Sequence, residues 1–267
     1  MAFASNPGWR NPMDPDELAA RARQGEVFHG QRMLPGAWVV LRVDGRGFSR
    51  FTEARYEKPF DPVFHQFMVR TASVMLEELQ GVYAYTQSDE ISVLFRPDWA
   101  LFDRSVEKVV SLAAGLASAT FTHAAGVPAV FDGRAWLGAS ERAVLDYFIW
   151  RQADGSRCSL HGWCYWTLRK EGRSAAQATR ELDGKPVSYK NELLFQRGIN
   201  FNDVPLWQRR GSGVWWEAYQ KEGVDPRDGR RTQTLRRRLK VDSELPMKEA
   251  YEHLVRGLLA APGAEAD

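Results

Sequence analysis

Two cysteines, Cys158 and Cys164, are all that the 267-residue chain carries. One pair cannot staple a chain this long, and its spacing fits neither a C-x-x-C redox motif nor a zinc knuckle. Both read as reduced packing residues. No apolar run approaches the roughly 20 residues of a membrane span. The opening stretch MAFASNPGWRNPMDPDELAARARQG has no basic segment followed by an apolar one, so no signal peptide is expected and the cytoplasm is the expected compartment. A dominant charge is also missing. Lys and Arg number 36 against 34 Asp and Glu, a net +2, so nucleic acid can be bound only through a local patch. No G-x-x-x-x-G-K-[ST], G-x-G-x-x-G, H-E-x-x-H or G-x-S-x-G occurs. The five histidines, His29, His65, His123, His161 and His253, are scattered without evident partners. The pattern therefore offers no protein nucleophile, and a substrate hydroxyl activated by a metal is the reading left.

What is present is a soluble globular composition, 44% hydrophobic and 26% charged, long enough for one large domain or two small ones. AWVVLRVDG reads as a buried strand ending at Asp44-Gly45. DPVFHQFMVRTASVMLEELQG opens on Asp61-Pro62, repeats apolar residues at helical spacing and stops at Gly81. Residues 82–95 divide into two strand-like halves. DRSVEKVVSLAAGLASATFTHAAG reads as a second long helix, PAVFDGRAWLG as a strand and ERAVLDYFIWRQAD as a third helix. The order is β-α-β-β-α-β, that of a ferredoxin-type split βαβ unit in an α+β protein. Further on, CSLHGWCYWTLRKEGRSAAQATRELDG suggests two short helices, KPVSYKNELLFQRGINFNDVPLWQRRGSGVWWEAY a helix and strands, and RTQTLRRRLKVDSELP an extended arm.

Two acidic spots carry the chemistry. Asp44 ends the first strand, and Ser88-Asp89-Glu90 interrupts the β-forming stretch GVYAYTQSDEISVLF. Asp is depleted from strands and Glu to a lesser degree. Taken alone, each spot reads as a turn. In a split βαβ unit, however, the first strand lies centrally beside the strand carrying Asp89, so the two carboxylates can meet at one sheet end or corner. Unpaired carboxylates there raise each other's pKa, and a divalent cation removes that cost. An all-oxygen set suits Mg²⁺, which keeps waters and takes phosphates as further ligands, and two such ions can clamp a phosphoryl transfer. Cations for a triphosphate are at hand: Arg42 on the strand of Asp44, Arg46 in the loop after it, Lys58, Arg104 and Lys108 at i and i+4, Arg151, and Lys190 with Asn191. The bland reading of Arg104 and Lys108 is a solvated helix face. The run RRTQTLRRRLK, with Arg230, Arg231, Arg236, Arg237, Arg238 and Lys240, is either a solvated charge run or a phosphate-backbone contact.

In this order these residues resemble the tRNA(His) guanylyltransferase family, the 3′-to-5′ nucleotide-adding enzymes. The resemblance runs from about Trp38 to Asp203 and is carried by seven motifs in series: RVDGRGFSRF, KPFD (Lys58–Asp61), QSDE (Gln87–Glu90), FDGR (Phe131–Arg134), WRQAD (Trp150–Asp154), KNELLF (Lys190–Phe195) and INFND (Ile199–Asp203). It implies a polymerase-palm-like catalytic domain with two Mg²⁺ ions, GTP and ATP as substrates, tRNA as partner and a homotetramer. Asp44, the Gly45 carbonyl and Asp89 match its metal-binding positions. Ser88, Glu90, Arg42, Lys58, Lys190 and Asn200 fall in its motifs near nucleotides. Its chemistry activates a tRNA 5′-phosphate with ATP, or uses a 5′-triphosphate, and the 3′-hydroxyl of an incoming GTP attacks, releasing AMP or pyrophosphate. The expected organisation is a flexible leader over 1–13, a palm-like part over 14–154, a continuation of the same unit with a tRNA-contacting arm over 155–245, and a helix with a flexible tail over 246–267. One departure stands out. Where eukaryotic members carry His-Ile-Asn-Asn, this chain reads SRCS, Ser156 to Ser159. That resembles the members that repair 5′-truncated tRNAs by templated addition. Untemplated addition to tRNA(His), a palm-type nucleotide cyclase, and a non-catalytic RNA-binding protein stay open as other readings.

Overall fold

The structure, a computed structural model, describes residues 14–224, 227 and 231–260. Expectations placed on 1–13, on Arg230 and on the tail after 260 lie outside the described residues. In chain order the elements are α1 (Pro15–Arg23), β1 (Trp38–Gly45), α2 (Phe48–Glu53), α3 (Pro62–Glu78), β2 (Tyr83–Gln87), β3 (Glu90–Phe95), α4 (Val106–Ala125), β4 (Phe131–Gly138), α5 (Glu141–Lys170), α6 (Ala175–Leu182), α7 (Val187–Phe195), α8 (Leu206–Arg210), β5 (Ser212–Val224), β6 (Arg231–Asp242) and α9 (Glu249–Ala260). Among them no helix is long and apolar enough to cross a membrane.

The six strands form one antiparallel sheet in the order β4-β1-β3-β2-β5-β6. The first four make the split βαβ pattern that the sequence predicts. Side chains alternate across a strand, so β1 feeds two cores. Val39, Leu41 and Val43 pack with α3 and α4 through Met68, Met75, Ala113 and Phe121. Trp38 and Val40 pack on the other face with α5 and α9 through Val144, Phe148, Tyr251 and Val255. Fully burying each such side chain stabilises the fold by about 1.5–3 kcal/mol. Helix α3 starts as its Asp-Pro signal requires: Asp61 Oδ1 accepts from the amides of Val63 and Phe64 at 2.8 and 3.0 Å, satisfying donors that the first turn leaves open.

The structure corrects two readings of the sequence. Helix α5 runs unbroken for 30 residues, through the expected boundary at 154 and through the region read as short helices. It spans two cores, the sheet's own and a smaller one in which Leu160, Cys164 and Leu168 meet α6 and α7. Arg104 also does not begin the second long helix, because Ser105 caps α4 and Arg104 sits in the left-handed region at φ 55°. β5 pairs with β2 only over residues 212–215. Beyond that, β5 and β6 pair with each other out to Val224 and Arg231, so the expected arm is a two-stranded ribbon.

Candidate active site

The acidic residues are gathered by strand register. Asp44, near the end of β1, lies opposite Glu90 on β3 and Asp132 on β4. The β2–β3 hairpin turns on Ser88 and Asp89, with Ser88 held at φ 54°. The Gly45 amide donates to the Asp89 carbonyl at 3.1 Å, which ties the turn to the end of β1. Gly45 cannot carry a side chain, since a Cβ would overlap the Phe48 ring.

The environment is electrostatically costly. Burial pushes the Asp89 carboxyl up to about 6, and the neighbouring Asp44 carboxylate adds to the shift. Burial and then Asp132 raise Asp44 above the usual carboxylate range, and Arg134 and Arg42 offset this only in part. Ser88 Oγ, an uncharged donor, bonds Asp89 Oδ1 at 3.1 Å. Among the described residues no cluster of three His, Cys, Asp or Glu side chains could hold a metal. Mg²⁺ does not need one: it is held by one or two carboxylates plus waters and substrate phosphates. Asp44, Asp89 and the Gly45 carbonyl fit that donor set.

Glu90 is held differently. Arg151 of α5 grips it in a fork, Nε to Oε1 at 2.7 Å and Nη2 to Oε2 at 2.6 Å, and Arg42 Nε stands 3.9 Å from Oε2. Trp150 lies under both guanidiniums, 5.8 Å from Arg42 and 4.5 Å from Arg151. Arg151 also reaches Asp154 at 3.3 Å. A bidentate, partly buried pair of this kind positions both partners. Arg151, expected on RNA, has a side chain only 11% exposed and engaged by Glu90.

A cleft of about 190 Å³ opens beside Asp89. One wall is Phe48, Ser49 and Thr52 of α2 with Lys58 and Phe60; the other is the α5 face. Lys58 donates to Thr52 Oγ1, and its ammonium is 5.4 Å from the Trp166 ring. Burial lowers its pKa, with Asp89 opposing. Of the SRCS segment, Cys158 and Ser159 line this cleft. Ser156 Oγ instead donates to the Arg209 carbonyl at 2.6 Å, and Arg157 turns to Asp154 at 2.6 Å. A smaller pocket shares Lys58, Gln87 and Ser88 and is walled by Tyr56, Phe60, His65 and Trp207.

Of the other expected nucleotide residues, Arg104 and Lys108 are not brought to this end. Arg104 is 6% exposed and donates to the carbonyls of Pro97, Trp99 and Ala37 at 2.9, 3.0 and 2.8 Å; it ties loops at the start of β1. Lys108 is exposed on α4, which packs against the sheet face opposite Arg42. Asn191 donates within α7 to the Val187 carbonyl, and Asn200 caps the turn 201–203, bonding Asp203. Lys190 lies beside α5, its carbonyl accepting from Cys164 Sγ at 3.3 Å. Arg46 is exposed in the loop after Gly45. Asp132, Thr52 and, on α5, Gly155 and Gly162 were not singled out from sequence. For Asp132 the FDGR motif held the signal. The two glycines gave none, because the helix that carries them does not read as continuous.

Two family models match the chain in succession, "tRNAHis guanylyltransferase" over residues 19–138 and "Thg1 C terminal domain" over 142–254. Among curated relatives, the chain is 36% identical over 210 residues to tRNA(His) guanylyltransferase 2 of Arabidopsis thaliana, 74% of this chain and 39% of that protein. It is 34% identical over 202 residues to the probable tRNA(His) guanylyltransferase of Dictyostelium discoideum, 71% and 79%. The chain thus spans well under half of the Arabidopsis protein's length. Among solved structures, a bacterial tRNA(His) guanylyltransferase (Thg1)-like protein in complex with ATP superposes with TM-score 0.73 at 27% identity, covering 91% of this chain and 99% of that one. A bacterial Thg1-like protein in complex with GTP superposes with TM-score 0.69 at 26% identity, with 92% and 100% covered.

Proposed function

The chain belongs to the tRNA(His) guanylyltransferase family, and on that premise we propose that it adds nucleotides in the 3′-to-5′ direction to the 5′ end of a tRNA, with GTP and ATP as substrates. The observation that carries the reading is the meeting of Asp44 and Asp89 at one sheet end, tied through the Gly45 amide and opening on a cleft with Lys58. Asp44, Asp89 and the Gly45 carbonyl would hold two Mg²⁺ ions. When bound, these supply Lewis-acid activation of the attacking 3′-hydroxyl and offset phosphate charge. Lys58 provides a point charge for phosphate oxygens. The Arg42 and Arg151 guanidiniums fix Glu90 beside Asp44, so the acidic corner keeps one geometry. The homotetramer that the resemblance implies belongs to the same proposal, as does the cytoplasmic location.

Templated repair of truncated tRNAs is the favoured form of the reaction, because no imidazole or cation from residues 156–159 lines the cleft. Incubating the protein with a 5′-truncated tRNA, labelled nucleoside triphosphates and Mg²⁺, with full-length tRNA(His) alongside, tests the proposal. Nucleotide should join the RNA 5′ end, and Asp44→Ala or Asp89→Ala should slow single turnover at least a hundredfold, about 3 kcal/mol of transition-state stabilisation. Wild-type turnover by Asp44→Ala at saturating Mg²⁺ would sink the assignment. Product formed from nucleotides without RNA would favour the cyclase reading.

A further inference from the structure

Helix α5 carries Gly155 and Gly162 in its interior, where glycine is the least favourable residue after proline. The fold accounts for Gly155. A Cβ there would stand 3.0 Å from both Gln87 Cγ and Tyr85 Oη, so the helix needs a glycine to lie this close to β2. The fold does not account for Gly162, where an added Cβ meets nothing within 4 Å. That open space is the cleft beside Asp89.

Ser159 lies one turn before Gly162 and Trp166 one turn after, and all three line the cleft, as the spacing of a helix face requires. Ser159 is 2% exposed, and its Oγ has no hydrogen-bond partner among the described residues. A hydroxyl taken out of water without a partner is costly, and a group entering the cleft would supply that partner. Across the cleft stand Phe48 and Ser49. The cleft is thus bordered by a glycine without a side chain, by Trp166 and by Ser159, whose hydroxyl can both donate and accept.

We propose that Ser159 and Gly162 seat a nucleobase in the cleft beside Asp89, the serine hydroxyl hydrogen-bonding the base edge and the glycine leaving room for the ring. The inference rests on the nucleotidyltransferase reading. The base belongs either to the incoming nucleoside triphosphate or to the terminal nucleotide of the tRNA.

The test uses the full chain with Ser159→Ala, Gly162→Ala and Gly162→Leu. Two affinities are measured separately with Mg²⁺: a non-hydrolysable GTP analogue without RNA, and a 5′-truncated tRNA without nucleotide. Gly162→Ala should melt no lower than wild type, since its methyl meets only open space and alanine favours the helix. Gly162→Leu should weaken one of the two ligands by about tenfold or more, as overpacking does. Ser159→Ala should weaken the same ligand severalfold. Weakening for the GTP analogue alone assigns the base to the incoming nucleotide, and weakening for tRNA alone assigns it to the RNA end. The proposal is overturned if Gly162→Leu or Ser159→Ala binds both ligands as wild type does, or if Gly162→Ala lowers the melting temperature. A wild-type protein that binds neither ligand would instead overturn the nucleotidyltransferase reading.

Discussion

His65 stacks on Trp207, ring centroids 4.2 Å apart at 17°, with Nε2 3.3 Å from Ser212 Oγ. Burial pulls its pKa down to about 4. A histidine whose folded pKa lies below its unfolded 6.5 binds fewer protons folded than unfolded. Its contribution to stability is therefore intact above pH 6.5 and is lost as pH falls toward 4. Between pH 7.5 and 5 the wild type should lose on the order of 2 kcal/mol more unfolding free energy than His65→Phe, which keeps the stacked ring without the titration. Denaturant melts at the two pH values check this, and equal losses would refute it. Other residues differ in how much the sequence disclosed. Asp44 and Asp89 were legible because acids inside β-forming stretches are costly and need a reason. Arg104 was not legible, because a guanidinium that serves three backbone carbonyls is the same letter as one that serves a phosphate. Arg151's tie to Glu90 was no more legible, since the two lie 61 residues apart, beyond any local spacing rule.

At the scale of elements, hydrophobic periodicity exposed α3, α4 and the strands of the split βαβ unit, because each buries a single face. It failed for α5, which buries different faces against two cores and carries Gly155 and Gly162, residues that read as punctuation. The β5–β6 ribbon was legible as an arm but not in its direction. Thr86 pairs with Ser212 and Tyr83 with Trp215, so β5 starts at the carboxylate end of the sheet and runs away from it. At about 3.3 Å per residue, the register of Tyr219 with Arg236 puts that arginine roughly 23 Å beyond Ser212. Alternation places Arg236, Arg238 and Lys240 on one face with Trp215 and Tyr219; Glu217 pairs with Arg238 at 2.8 Å and with Lys240 at 3.3 Å. Arg231 and Arg237 fall on the other face, with Leu235, which is 70% exposed. If the basic face grips RNA phosphates, it does so far from the chemistry. Neutralising Arg236 and Arg238 should weaken tRNA binding alike for all tRNA sequences. It should also flatten the log–log salt dependence by about 0.9 for each duplex phosphate no longer neutralised. The single-turnover rate at saturating tRNA should stay unchanged. An unchanged salt slope would leave the ribbon a solvated or subunit-facing element.

For the whole molecule, the question is what positions the incoming nucleotide. The carboxylate corner and Lys58 can hold phosphates, but they do not choose a base. In the SRCS segment, Ser156 is engaged by the Arg209 carbonyl and Arg157 by Asp154, leaving Cys158 and Ser159 to face the cleft. Neither supplies a cation that could fix an unpaired nucleotide. Pairing and stacking against the opposite strand of the acceptor stem would do that work, and orienting a reactant in this way moves rates by orders of magnitude. The protein should therefore extend a tRNA lacking its first nucleotide faster than it adds an unpaired guanosine to intact tRNA(His). The added nucleotide should change with the opposing base. Single-turnover rates on a truncated tRNA carrying each of the four template bases decide the matter. With every nucleoside triphosphate supplied, the complementary one should be incorporated at least tenfold faster than the others, about 1.4 kcal/mol of discrimination. Guanosine added equally fast against all four bases, or a clear preference for intact tRNA(His), would make the reaction untemplated. The nucleotide would then be positioned by protein groups and not by the opposing base.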